Sequence, residues 1–168
     1  TNMDTGKAEY LPVPKRDDHF ELLPATCALP FLFPVYHING KPYMHGGAAD
    51  AIPYDHAVEK GCDRVVVILT RERSYIRKQE SLQPLIDRFY RKYPKFCDTM
   101  RRRADDYNAC RGRLFRLERE GKVLIIAPKC TKGFSRTERD VEKIKALYQD
   151  GYQQAVAWQE EIRAFLKG

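Results

Sequence analysis

The run Arg64-Val65-Val66-Val67-Ile68-Leu69-Thr70 decides the fold. Its apolar residues follow one another without alternation, the pattern of a strand buried on both faces. Val123-Leu124-Ile125-Ile126-Ala127 repeats it. Between the two lies helical periodicity: Leu82, Leu85, Ile86, Phe89 and Tyr90 mark one face, then Phe96, Met100, Tyr107, Leu114 and Leu117 a second. Pro94 divides the two helices and Gly121 closes the second. Buried strands separated by helices define an α/β sheet covered by helices, with both strands central.

Upstream of Arg64, Pro53 suits a first helical turn after Asp50 or Ala51, and Gly61 suits a helix end, so 53–60 is a short helix. Further back, Val35 to Ile38 and Lys41 to Met44 flank Asn39-Gly40, a strong hairpin signal. Pro42 marks an edge strand. Lys7 to Leu11 is a short strand, and Asp17 or Asp18 caps a helix running towards Cys27, kinked or stopped early by Pro24. At the other end Thr137 and Asp140 open a helix that carries Val141, Ile144, Leu147 and Tyr148, followed after Gly151 by Tyr152, Val156, Ile162, Phe165 and Leu166. No internal repeat or low-complexity tract appears.

Composition narrows the class. With 168 residues, 43% of them hydrophobic and 32% charged, the chain reads as one soluble globular unit; disorder and collagen are excluded. No apolar stretch approaches the roughly 20 residues of a membrane span, and no leader opens the chain. Thr1-Asn2-Met3-Asp4 suggests a clipped start. Five widely spaced cysteines, without a C-x-x-C pair, point to a reducing compartment rather than a disulfide framework or zinc site. The net charge of +7 is uneven: residues 1–70 hold 6 basic and 9 acidic side chains, residues 71–168 hold 24 and 14. Arg88, Arg91, Lys92, Arg101 to Arg103, Arg111, Arg113, Arg116 and Arg119 lie in helical sequence with Asp105, Asp106, Glu118 and Glu120 interleaved, which reads as a solvated outer face rather than a nucleic-acid site. An anionic membrane surface is the other partner such a face would suit.

Little else carries chemistry by spacing. His19, His37, His45 and His56 lack H-x-x-x-H spacing and nearby cysteines, so no metal site is expected. Ser74, Ser81 and Ser135 lack the G-x-S-x-G context of an exposed nucleophile, and Ser81 reads as a helix cap. Cys27 and Cys62 read as buried small apolar residues. Gly46-Gly47, between the hairpin and a proline-started helix, permits positive φ and close backbone approach; a site loop and a structural turn both need this.

The stretch Ile38-Asn39-Gly40-Lys41-Pro42-Tyr43-Met44-His45-Gly46-Gly47-Ala48-Ala49-Asp50-Ala51-Ile52-Pro53 resembles the D-G-G segment of patatin-like phospholipases, whose aspartate is the base of a Ser-Asp dyad. Thr1 to Tyr10 resembles the strand before that family's A-S-x-x-L-P segment, which reads here Ala25-Thr26-Cys27-Ala28-Leu29-Pro30. Arg64 to Arg71, Tyr90-Arg91-Lys92-Tyr93-Pro94 and Leu147 to Tyr152 are similar to its bacterial branch. The resemblance implies an α/β fold, part of a three-layer α/β/α domain with added C-terminal helices, residues 1–168 being its C-terminal portion. The Gly-rich oxyanion loop and nucleophile elbow would lie N-terminal to this chain.

By the same resemblance, the complete protein hydrolyses an acyl ester, such as a lipid, and needs no metal or cofactor. His45 stands at the dyad aspartate position, a departure that favours an impaired or repurposed site over an efficient Ser-His pair. Gly46, Gly47 and Asp50 shape the loop. The alternative is a non-catalytic pseudo-hydrolase that binds lipid or a protein partner. A cytoplasmic protein, peripheral to a membrane, is expected. So is a homo-oligomer, or pairing with an N-terminal fragment, because lost strands expose sheet edges and apolar surface.

Overall fold

The computed structural model describes residues 1–13, 21–135 and 138–167, and divides into two compact units of mixed helix and strand, so the fold is broadly α/β. The expected cap at Asp17 or Asp18, and Thr137, lie outside the described residues, as does His19. The first unit comprises Thr1–Pro53 and Arg77–Cys110; the second comprises Tyr54–Ile76 and Arg111–Gly168.

In the first unit, α1 (Leu22–Cys27) carries Pro24 in its opening turn and stops after one and a half turns. The hairpin forms as the sequence predicts: β1 (Tyr36–Ile38) pairs antiparallel with β2 (Lys41–Tyr43), Ile38 opposite Lys41. Asn39 and Gly40 both take positive φ, +49° and +75°, as a two-residue turn of this hand requires. Pro42 is not on a free edge, however. Met3 N donates to Pro42 O at 2.9 Å, Asn2 bridges Tyr43, and Pro42 is buried.

The expected strand at Lys7–Leu11 does not form. Asn2 Oδ1 accepts from the amides of Asp4 and Thr5, and Asn2 N donates to Lys7 O, so the segment turns back on itself and it is Thr1 to Met3, not Lys7–Leu11, that runs beside the hairpin. After a 3-10 turn at Gly46–Ala48, the unit resumes with α3 (Gln83–Phe89) and the first part of α4 (Pro94–Arg119), whose residues from Arg111 onward belong to the second unit. Leu82, not Ser81, stands at the α3 cap and makes no side-chain cap bond. Met3, Ala28, Met44, Ile86, Phe96 and Met100 form the core. Leu82, Leu85 and Phe89 of the predicted α3 face stay exposed.

The second unit opens with α2 (Tyr54–Glu59), which ends in a Schellman motif: Gly61 has φ +90°, Cys62 N donates to Ala57 O, and Gly61 N donates to Val58 O. Then β3 (Val65–Ile68) pairs parallel with β4 (Val123–Ile126), Val65 opposite Val123. Gly121 closes α4 by the same motif, with Lys122 N on Leu117 O. Among the described residues this sheet has only these two strands, so the expectation of strands buried on both faces fails: Val67, Val123 and Ile125 are buried but Ile68 is 74% exposed.

Asp140 caps α5 (Val141–Ala157), its carboxylate accepting from Glu142 N and Lys143 N; α6 (Gln159–Lys167) follows. Gly151 lies within α5 rather than dividing it. Of the apolar residues predicted to pack on α5, Val141, Ile144, Tyr148, Tyr152 and Val156 are exposed and Leu147 is half-buried. No helix among the described residues is long and apolar enough to cross a membrane.

The basic helix departs most from its sequence reading. Arg101 and Arg102 are exposed, but Arg103 and Arg111 are 9% and 3% exposed. Arg111 Nη2 donates to the carbonyls of Glu72 and Arg73 at 2.8 and 3.0 Å, and its guanidinium lies over the Phe115 ring. Arg73 in turn grips Glu118 with two bonds of 2.7 and 2.6 Å and reaches Ile125 O at 2.8 Å. The segment after β3 is thus stitched to α4 and β4 by guanidinium groups. Cys27 and Cys62 are exposed, because one ends α1 and the other leaves the Gly61 turn; Cys97 is the buried thiol.

Candidate functional site

The hairpin delivers His45 to the start of the 3-10 turn, where backbone bonds fix it: His45 N donates to Ala28 O at 2.9 Å, and Ala48 N donates to His45 O at 3.0 Å. Thr1 Oγ1 also donates to His45 O, at 2.8 Å. The half-buried ring is fixed separately. Its Nδ1 lies 2.6 Å from Thr26 O. A carbonyl can only accept, so Nδ1 carries the proton of the neutral ring and Nε2 keeps its lone pair. Nε2 has no hydrogen-bond partner among the described residues.

Burial is the largest influence holding the His45 imidazole below its ordinary titration range. The Thr26 carbonyl pulls the other way, while Arg103 and Arg77 add to the lowering. At neutral pH the ring is therefore an uncharged base. The consequence for stability has a definite sign. Since the unfolded His titrates near 6.5 and the folded one lower, the unfolded chain binds more protons below that pH. His45 therefore favours folding above about pH 6.5, and that contribution is lost as pH falls through its folded value. In urea unfolding at pH 7 and pH 5, wild type should lose more stability than His45→Gln on acidification; equal losses would refute this reading of the ring.

The two glycines serve close approach, not positive φ: neither is among the residues with φ in the left-handed region. A Cβ at Gly46 would stand 2.7 Å from Thr26 Oγ1, and one at Gly47 would stand 3.0 Å from His45 Nε2 and 3.3 Å from Cε1. Glycine thus makes room for the imidazole and for the helix that orients it. Gly47 O accepts from Arg103 Nε at 2.9 Å, which ties the loop to α4. Asp50 makes no bond to His45. It accepts from Ile52 N at 3.2 Å and from the Tyr10 hydroxyl, and its own amide donates to Gly46 O at 3.1 Å.

Beside this loop lies a cavity of about 250 Å³, with Thr26 and Gly46 in its wall and Leu11, Leu22, Ile38 and Met44 supplying apolar surface. Tyr43 and Glu9 give it a polar corner, the Tyr43 hydroxyl donating to Glu9 Oε2 at 2.5 Å. Burial, then the bond to Glu9, pushes the Tyr43 phenol up to about 12.

The remaining candidates are not gathered there. Ser74, Ser81 and Ser135 are exposed, and no serine hydroxyl is bonded to a base among the described residues. His37 is exposed on β1, and His56 faces Glu59 on α2 at 3.8 Å. No group of three His, Cys, Asp or Glu side chains is placed to hold a metal among the described residues. Sequence reasoning missed Thr26, Arg103 and Arg77. A backbone carbonyl leaves no trace in residue type, Arg103 looked like surface charge, and Arg77 lies outside every motif the sequence offered.

Residues 93–167, just under half of the chain, match the model of a family described as a domain of unknown function, DUF6363. No curated protein matches the chain.

Proposed function

We propose that residues 1–168 are the C-terminal portion of a patatin-like serine acyl-ester hydrolase of three-layer α/β/α design, in which His45 is the general base. The observation that carries this reading is the His45 ring: Nδ1 on Thr26 O at 2.6 Å, Nε2 unpartnered among the described residues, and a charge state kept neutral. A base needs this combination of fixed tautomer, available lone pair and titration below working pH.

In this mechanism an elbow serine from the preceding half of the protein gives its proton to Nε2 as its oxygen attacks the ester carbonyl, and backbone N–H groups hold the oxyanion. Nε2–H then protonates the departing alcohol. Water repeats the sequence on the acyl-enzyme: Nε2 takes its proton, the hydroxide attacks, and the serine leaves with the proton returned. Thr26 O steadies the imidazolium formed twice in the cycle. The apolar cavity beside Thr26 and Gly46 offers a wall for an acyl chain. The exposed face of the two-stranded parallel sheet supports the partial-domain reading, because parallel strands ordinarily have both faces covered.

A fluorophosphonate serine probe tests the assignment. In the complete protein it should label a single serine outside residues 1–168, and the 168-residue chain should stay unlabelled and inactive on p-nitrophenyl esters. Specific labelling of Ser74, Ser81 or Ser135 would overturn it.

A further inference from the structure

The turn after α1 carries an aromatic side chain where turn chemistry asks for glycine. Leu32 N and Phe33 N both donate to Leu29 O at 3.2 Å, which leaves Pro30 and Phe31 as the inner residues of the turn Leu29-Pro30-Phe31-Leu32. Phe31 has φ +68°. Glycine or asparagine ordinarily takes that third position, and a bulky residue there is an outlier that its surroundings must hold.

Tyr90 holds it. Phe31 N donates to the Tyr90 hydroxyl at 3.0 Å, and the Phe31 ring stands 5.5 Å from Phe89, nearly perpendicular, and 5.6 Å from Tyr90. The Tyr90 ring in turn packs at 5.5 Å on Phe96, which is fully buried. The strained turn is therefore anchored to the core while Leu32 and Phe33 stay 59% and 48% exposed. Leu82 at the α3 cap, with Leu85 and Phe89 on the helix, adds exposed apolar surface at i, i+3 and i+7, Phe89 being 67% exposed.

Along the stretch that carries this ridge, cations outnumber acids. From Leu82 to Lys95 there are four cations, Arg88, Arg91, Lys92 and Lys95, all exposed. The single acid in that stretch, Asp87, is taken by Arg101 at 2.9 Å and Gln83 at 2.8 Å. Arg88 and Arg91 have no carboxylate partner among the described residues.

We propose that this face docks on an anionic lipid bilayer, with Leu32, Phe33 and Phe89 entering the boundary between headgroups and acyl chains and Arg88, Arg91, Lys92 and Lys95 facing acidic headgroups. Aromatic and aliphatic side chains flanked by exposed cations are what such an interface recognises, and a bilayer demands no matching pocket for a protruding turn. The docking does not rest on the hydrolase reading, because vesicle binding requires no turnover.

Co-sedimentation of the 168-residue chain with vesicles tests it. Binding to phosphatidylcholine mixed with about one third phosphatidylserine should exceed binding to phosphatidylcholine alone by roughly tenfold or more, since each cation near an acidic surface contributes about fivefold. The double variant Leu32→Glu/Phe33→Glu, with its fold checked by circular dichroism, should bind both vesicles at least about tenfold more weakly. Arg88→Glu/Arg91→Glu should remove the preference for acidic lipid, and it decides the matter should the first variant fail to fold. Wild type that ignores acidic vesicles overturns the proposal. So do variants that bind like wild type, and light scattering that shows Leu32 and Phe33 closing a dimer instead.

Discussion

On the proposed mechanism, replacing His45 by asparagine should lower turnover of the complete protein by about 10²- to 10⁴-fold, the usual contribution of a positioned general base. Asparagine places its amide nitrogen where Nδ1 stands and can still donate to the Thr26 carbonyl, so the loop should survive. What disappears is the basic lone pair. The loss should fall on kcat with KM little changed, because Nε2 acts on the reacting proton and not on the bound substrate. Steady-state kinetics on a short-chain ester checks this; a variant within about threefold of wild type would remove His45 from the mechanism.

The second large effect concerns stability. Arg111→Leu should destabilise the second unit by about 2–4 kcal/mol, given two charge-assisted bonds to carbonyls and a buried contact with the Phe115 ring. The carbonyls of Glu72 and Arg73 would lose their donor in a segment whose other ties, Arg73 to Glu118 and Glu72 to Thr131, depend on the same backbone path. Amide exchange of Val65–Ile68 and Val123–Ile126 reads the change directly, because loosening that segment frees the end of β3 first. Arg111→Lys should recover only part of the loss, since an ammonium lacks the flat guanidinium face that lies over the Phe115 ring. Exchange rates unchanged in Arg111→Leu would show that these bonds do not hold the segment in place.

These two residues also mark how far the sequence could be read. Local chemistry was legible: Asn39-Gly40 demanded a hairpin, Gly61 and Gly121 ended helices in left-handed conformations, and Pro94 opened α4. Each depends on a few neighbouring residues. Arg111 was misread because its partners lie 38 and 39 residues away in the chain and are backbone carbonyls, which any residue supplies. The same reason hid the Thr26 carbonyl that sets the His45 tautomer. Apolar periodicity overstated burial on α3 and α5 and in β3, because a pattern shows which face is apolar but not whether a neighbour covers it.

At the site, position 45 was found through the resemblance and not through spacing, since a lone histidine followed by two glycines specifies no chemistry. Nor did spacing separate the two uses of glycine. Room for the imidazole, seen in the 3.0 Å approach of a Gly47 Cβ to Nε2, became readable only with the ring in place.

Turnover against pH, measured for the complete protein and for its His45→Asp variant, tests the central claim most directly. If His45 is the working base, wild-type activity falls on the acid side with a midpoint below about 6.5, following the lowered titration of the ring. The aspartate variant is then no faster than wild type, because its shorter carboxylate lacks the Thr26 bond that positions the imidazole. A rise of about tenfold or more in His45→Asp would contradict the account and show that histidine impairs an ancestral carboxylate dyad.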